Sequence, residues 1–126
     1  MSALPLTGIK ILDLTRVLAG PISAQMLADL GAEVIKIERP GAGDDARAFG
    51  PPYLVDPEGK ENNNNSFYLC ANRGKKSVTV NIAKPEGQAI VRELAKTCDV
   101  MMENYKVGDL KRYGLDYESI DRKSVV

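Results

Sequence analysis

No histidine occurs in the sequence. Its side chains therefore cannot supply a Ser-His-Asp triad, a Cys-His pair, an imidazole general base or an HExxH metal site. Cysteine is scarce: Cys70 and Cys98 are the only two, and they form no CxxC pair. Neither a zinc site nor a secreted disulfide framework is indicated, and no metal is expected. Both thiols are expected on core positions, where cysteine is inert. Net charge is absent too, since 17 Lys and Arg balance 17 Asp and Glu. A chain without basic excess is a poor polyanion binder, so nucleic acid is not an expected partner. No run approaches the about 18 apolar residues of a membrane span. Residues 1–5 (MSALP) lack the basic and apolar regions of an export signal, so a cytoplasmic, membrane-free protein is expected. What is present, 126 residues of which 44% are hydrophobic, suits one domain with one core.

Hydrophobic periodicity then orders the elements. Residues 9–14 (IKILDL) alternate apolar and polar and predict a strand. After Gly20-Pro21, the residues Ile22, Met26, Leu27 and Leu30 stand near helical spacing, and Gly31 suits the position just past a helix end. Residues 33–38 (EVIKIE) return to period two, and the segment between the two strands is long enough for a parallel crossover. Residues 39–65 carry Pro40-Gly41, Gly50-Pro51-Pro52, Pro57, Gly59 and an Asn run at 62–65. They predict a long surface loop, 39–66 within the domain, with 56–65 as a variable insertion. Residues 67–72 suit one short helical turn and residues 77–82 (SVTVNI) a strand. Pro85 opens a helix with an inner stripe of Ile90, Val91 and Leu94. Residues 99–103 (DVMME) predict a fourth strand, and Val107, Leu110 and Tyr113 another short helix. This alternation predicts an α/β fold, a Rossmann-like parallel sheet with helices on both faces. No internal repeat is present.

Three segments bear on chemistry. Gly41-Ala42-Gly43-Asp44-Asp45-Ala46 spells GxGxxA, but a dinucleotide fingerprint opens a helix directly after the first strand and leaves bare N–H groups to the pyrophosphate. Here the run follows the second strand and carries two carboxylates that repel a diphosphate, so it reads as a turn positioning Arg39. The turn at 15–21 (TRVLAGP) pairs a strand's carboxyl end with a helix N-terminus and favours an anion, while the same composition also serves an ordinary strand-to-helix turn. Arg39, Lys75, Lys76, Lys106, Lys111 and Arg112 are expected near strand ends, where ligands of open α/β sheets collect. Singly each suits a solvated surface; together they suit a ligand with several phosphates. Asn104-Tyr105-Lys106 adds an amide and a ring suited to a flat base or a pantetheine amide.

The blocks LDLTRVLAGP (12–21), DLGAEVIKIERPGAGD (29–44), NRGKKS (72–77), KPEG (84–87), Asp99-Val100 and Glu103-Asn104-Tyr105, in this order, resemble the family III CoA-transferases (CaiB/BaiF). That family includes the formyl-CoA, carnitine-CoA and succinate–hydroxymethylglutarate CoA-transferases and the related α-methylacyl-CoA racemases. The resemblance runs from about residue 6 to 120. It implies that residues 1–126 form the CoA-binding, N-terminal part of the family's large Rossmann-like domain, an incomplete half of it. It assigns CoA contacts to Val17, Leu18 and Ala19, to Arg39, to Val80, Asn81, Ile82 and Ala83, to Asn104, Tyr105 and Lys106, and to Arg112, with Lys75 as a further candidate. Phosphates call for cations and helix-end N–H groups, and adenine for an apolar or aromatic slot. Leu18 stands where formyl-CoA transferases carry Gln, which leans toward the dicarboxylate-type relatives; Ala83 stands where some members are basic.

The resemblance further implies transfer of CoA between an acyl-CoA and a small carboxylic acid, through an aspartyl intermediate. That aspartate lies outside residues 1–126, and Asp13, Asp44 and Asp45 match other positions, so no catalytic residue is expected here. Residues 122–126 depart from the family's next strand. A homodimer is implied, and CoA, as acyl-CoA, is the implied cofactor. The alternatives are a non-catalytic CoA- or nucleotide-binding fragment and the N-terminal part of a racemase-like enzyme.

Overall fold

The computed structural model describes residues 3–121; residues 1–2 and the departure at 122–126 lie outside it. Strand β1 (Lys10–Asp13), helix α1 (Ala19–Asp29) and strand β2 (Glu33–Glu38) form the first β-α-β unit of the chain. A two-stranded excursion, β3 (Tyr53–Val55) and β4 (Glu61–Asn65), and a short helix α2 (Ser66–Cys70) precede β5 (Lys75–Thr79), α3 (Pro85–Ala95), β6 (Val100–Met102) and α4 (Tyr117–Asp121). The main sheet has the order β5-β2-β1-β6 with every pair parallel. Strand order therefore reverses between β1 and β6, the place where open α/β sheets open a crevice.

Both faces of β1 are covered, as a central parallel strand requires. Ile11 and Val34 pack on one face with Ala24 of α1 and Ala32. Leu12, Leu14 and Ile37 pack on the other with Val91 of α3 and with Val80, Leu110 and Leu115. Helices thus lie on both faces. Helix α1 ends where Gly31 adopts φ +104°, the left-handed step that glycine takes without steric cost. Helix α3 begins with Pro85 in its first turn. Its Gly87 abuts the preceding turn so closely that a Cβ there would sit 2.0 Å from the Asn81 carbonyl oxygen.

Four expectations are corrected. First, residues 39–66 are not one loop. Asp44 caps a 3₁₀ turn at Asp45–Ala48 by accepting from the Ala46 N–H at 2.9 Å, and β3 pairs antiparallel with β4, Tyr53 opposite Asn65. The Asn-rich β4 has little strand propensity; its place is set by Asn65, which donates to the carbonyls of Ala46 and Arg47 and accepts from the Tyr68 N–H to cap α2. Second, β5 begins two residues earlier than expected, at Lys75, because Asp13 and Glu33 receive the ammoniums of Lys75 and Lys76. Asn81 ends the extended segment by accepting from the Ala83 N–H. Third, Ile90 of the expected inner stripe is exposed while Val91 is buried, since the neighbouring position lies about 100° round the helix. Val107 is likewise fully exposed, and only Leu110–Tyr113 form a 3₁₀ turn there. Fourth, Cys70 is exposed and Cys98 half-buried rather than both lying in the core.

Candidate functional site

Past the carboxyl ends of the four parallel strands opens a cleft of about 280 Å³. Arg16 enters it after β1 and Arg39 after β2. Val80, Asn81, Ile82 and Ala83 enter after β5, and Tyr105, Asp109, Arg112 and Tyr113 after β6. Seven of the residues assigned by resemblance, Arg39, Val80, Asn81, Ile82, Ala83, Tyr105 and Arg112, thus meet around one space. Val80 is buried and Ile82, Tyr105 and Tyr113 pack against the same core, so one wall is apolar and aromatic. Burial pushes the Tyr105 hydroxyl pKa upward.

The cations are held in place by their neighbours. The Arg16 guanidinium stacks 4.5 Å over the Tyr105 ring, and that of Arg112 lies 4.8 Å over Tyr113. Asp45 receives Arg39 at 2.5 Å and Arg16 at 3.6 Å, both near the surface. One carboxylate facing two guanidiniums leaves an excess of positive charge, and arginine presents it as a planar fork suited to phosphate.

Beneath the arginines lies a carboxylate that is fully committed. Glu38, 4% exposed, accepts from Arg47 Nε and Nη2 at 2.7 and 2.8 Å, the Tyr68 hydroxyl at 2.6 Å, Ser77 Oγ at 2.8 Å and the Asp44 N–H at 2.9 Å. Burial raises its pKa, but the bonds from Arg47, Tyr68, Asp44 and Ser77 outweigh that effect and hold it at about 2. Burial and the facing Glu38 in turn push the Tyr68 hydroxyl far up. Gly43 makes this cluster possible, because a Cβ there would stand 2.5 Å from Glu38 Oε2.

The remaining expected residues lie elsewhere. Val17, Leu18 and Ala19 form the β1–α1 turn beside the cleft; among the described residues no side chain caps α1, and its first N–H groups have no acceptor within the helix. Asn104 spends its amide on that turn, accepting from the Arg16 N–H and donating to the Arg16 carbonyl, both at 2.9 Å. Lys106 borders a second groove, of about 550 Å³, beyond β6. Lys75 is a correction. Its ammonium is buried, on the α1 side of the sheet, and donates to Asp13, the Pro21 carbonyl and Asn72. With three donors and three partners it has no proton left for a ligand, and burial lowers its pKa against the pull of Asp13. Lys75 and Lys76 also start their strand, at the edge opposite the cleft.

Arg16, Asp109 and Tyr113 were not assigned by sequence reasoning, nor was the buried pair Lys36–Asp44, 2.8 Å apart. The available signal was Lys36 itself, a charge on the same strand face as Val34 in a parallel sheet.

Fold and cleft define a Rossmann-like α/β protein whose carboxyl edge gathers arginines over an aromatic wall. The chain matches CoA-transferase family III over residues 6–124 and belongs to that family. It is 58% identical to the human succinyl-CoA:glutarate CoA-transferase over 93% of this chain and 25% of that protein. It is 53% identical to succinate–glutarate CoA-transferase of Agrobacterium fabrum, over 92% of this chain and 29% of that one. Among solved structures it superposes on a CaiB/BaiF family protein from Brucella suis with a TM-score of 0.88 and 45% identity, covering 96% of this chain and 31% of that one. The chain spans about a quarter of the length of the curated relatives it matches.

Proposed function

We propose that this chain supplies the CoA-binding part of an enzyme that moves CoA between an acyl-CoA and a small dicarboxylic acid. The observation that carries the reading is the cleft, where Arg16, Arg39 and Arg112 stand beside Tyr105 and Tyr113 at the carboxyl edge of the sheet. About 280 Å³ lies just below the usual range of ligand pockets and suits one base and sugar. CoA's nucleotide end fills it, with adenine against the aromatic wall and phosphates toward the guanidiniums, while pantetheine leaves along the β1–α1 turn. The uncapped first turn of α1 adds N–H donors and the positive end of a dipole.

Within this reading the chain binds and orients and does not attack. Glu38 and Asp44 line the cleft but are buried in bonded pairs, so neither is a free nucleophile. The aspartyl chemistry implied by the family belongs to a residue outside this sequence. The dicarboxylate preference is supported by Leu18 and by the succinate and glutarate in the names of two relatives. Those names are of transferases, which supports transfer over racemisation. A homodimer and a cytoplasmic location belong to the same proposal; no helix among the described residues is long and apolar enough to cross a membrane.

Calorimetric titration with CoA and with dephospho-CoA tests the reading. CoA is expected to bind, and removal of its 3′-phosphate is expected to weaken binding at least several-fold. Absence of CoA binding sinks the proposal. Indifference to the 3′-phosphate removes the arginine assignment.

A further inference from the structure

We propose that the buried Lys36–Asp44 pair is a clamp that fixes the turn at Val17 in its ligand-binding shape, making both residues positioning residues of the CoA site. The inference rests on the CoA reading above and adds the device that shapes it. Lys36 projects from β2 and is 1% exposed; Asp44 follows β2 and is 3% exposed. The Lys36 ammonium contacts Asp44 Oδ2 at 2.8 Å and donates to the Thr15 carbonyl at 2.8 Å. The other Asp44 oxygen accepts from the Val17 N–H at 3.0 Å. One ion pair therefore grips the β1–α1 turn at two points, a carbonyl on one side and an N–H two residues on.

Just past the second point the backbone is strained. Val17 has φ +71° and is the one described non-glycine residue with positive φ. A β-branched side chain is an outlier there, and such conformations persist only where the surroundings over-determine them. The surroundings here are the clamp, Asp13, which accepts from both the N–H and the hydroxyl of Thr15, and Asn104, which bonds both the N–H and the carbonyl of Arg16.

A buried ion pair is not by itself a stabilising choice, because apolar residues of similar volume do as well or better. Two apolar side chains at 36 and 44 would fill the same space, but they could not hold the Thr15 carbonyl and the Val17 N–H. What the pair adds is the shape of the turn, and that turn carries Leu18 and Ala19 into the first turn of α1. Freed from the clamp, Val17 relaxes to negative φ, and Arg16 of the cleft lining and the start of α1 lose their placement.

The test uses Asp44→Ala, Asp44→Ala with Val17→Gly, and the apolar pair Lys36→Met with Asp44→Leu, which preserves the fold if the Asp44→Ala change does not. CoA affinity is read by calorimetry and the Val17 N–H by hydrogen exchange. If the competent turn falls to about a tenth of the population, the apparent Kd for CoA rises about tenfold. Exchange at Val17 accelerates relative to the β1–β2 ladder. Adding Val17→Gly recovers most of the affinity, since glycine reaches positive φ without steric cost. A merely structural role predicts no recovery, because glycine loosens the chain further. An apolar pair that binds CoA like the wild type, or a glycine that rescues nothing, overturns the clamp. A wild-type protein that fails to bind CoA overturns the functional reading instead, and exchange at Val17 that ignores Asp44 overturns the clamp even then.

Discussion

Arg39 is the side chain on which cleft and ligand reading meet most directly. It is more than half exposed and, among the described residues, tethered only by Asp45, so removing it leaves no buried charge orphaned and its loss is read in binding rather than in folding. A charge-assisted phosphate contact is worth about 1.5 to 3 kcal/mol. Arg39→Ala is therefore expected to raise the Kd for CoA by roughly ten- to a hundredfold while the melting temperature stays within a few degrees. Glu38 behaves in the opposite way. Its carboxyl sits at about 2 in the folded chain against an ordinary 4.5, so the folded state binds its proton more weakly than the unfolded one. The stabilisation is complete above pH 4.5 and is lost as pH falls toward 2, amounting to about 3 kcal/mol for a shift of this size. Chemical denaturation at pH 6 and at pH 3 measures it. Glu38→Gln lowers stability at pH 6 and flattens the loss on acidification. An acid limb as steep in the variant as in the wild type assigns that stability to other carboxylates.

Between residue and fold stands the segment 39–65, where sequence and structure part. Strands β1, β2 and β6 and helices α1 and α3 are legible as sequence because apolar spacing and element coincide: EVIKIE is β2 over its whole length, and Pro85 marks the start of α3. The excursion is not legible, because β4 is built from Asn, its partner β3 is only three residues long, and its anchoring is polar. Asn65 binds three backbone groups of other turns while 1% exposed, and Arg47 spans Glu38, Asn64 and the Tyr68 ring. Composition gives no periodic signal for such contacts. The cleft shows the same division: Arg39, Tyr105 and Arg112 follow strand ends in the sequence, whereas Arg16 stacking on Tyr105 and the engagement of Lys75 by Asp13 depend on pairing across the sheet. Asn65→Ala tests the anchoring. It removes a helix cap and the side-chain donor to the Ala46 and Arg47 carbonyls, of which Ala46 keeps the Phe49 N–H, at a cost of about 1 to 2 kcal/mol. Limited proteolysis is expected to cut the turn at residues 56–60 faster in the variant; an unchanged pattern shows that the hairpin holds without Asn65.

At the scale of the whole molecule, the two edges of the main sheet are managed differently. Strand β5 carries Lys75, Lys76 and Ser77 and lies beside the β3–β4 excursion, devices that discourage pairing with another chain. Strand β6 is short and apolar, and among the described residues no strand pairs with its outer side. Val100 there is 44% exposed, and the adjoining groove of about 550 Å³ carries the exposed Val107 and Tyr117. An unpaired edge beside an apolar groove is an association surface in a chain of zero net charge. The 126-residue chain on its own is therefore expected to self-associate at micromolar concentration, and sedimentation velocity at several loadings detects this as a rising weight-average coefficient. Placing a charge on that edge, Val100→Lys, is expected to shift the population toward monomer. The same charge on the β5 edge, Thr79→Lys, is expected to change little, because that strand already carries lysines. A wild-type chain that stays monomeric with a single cooperative melt shows that the β6 edge is covered by the chain itself, and equal effects of the two substitutions place the association elsewhere than at β6.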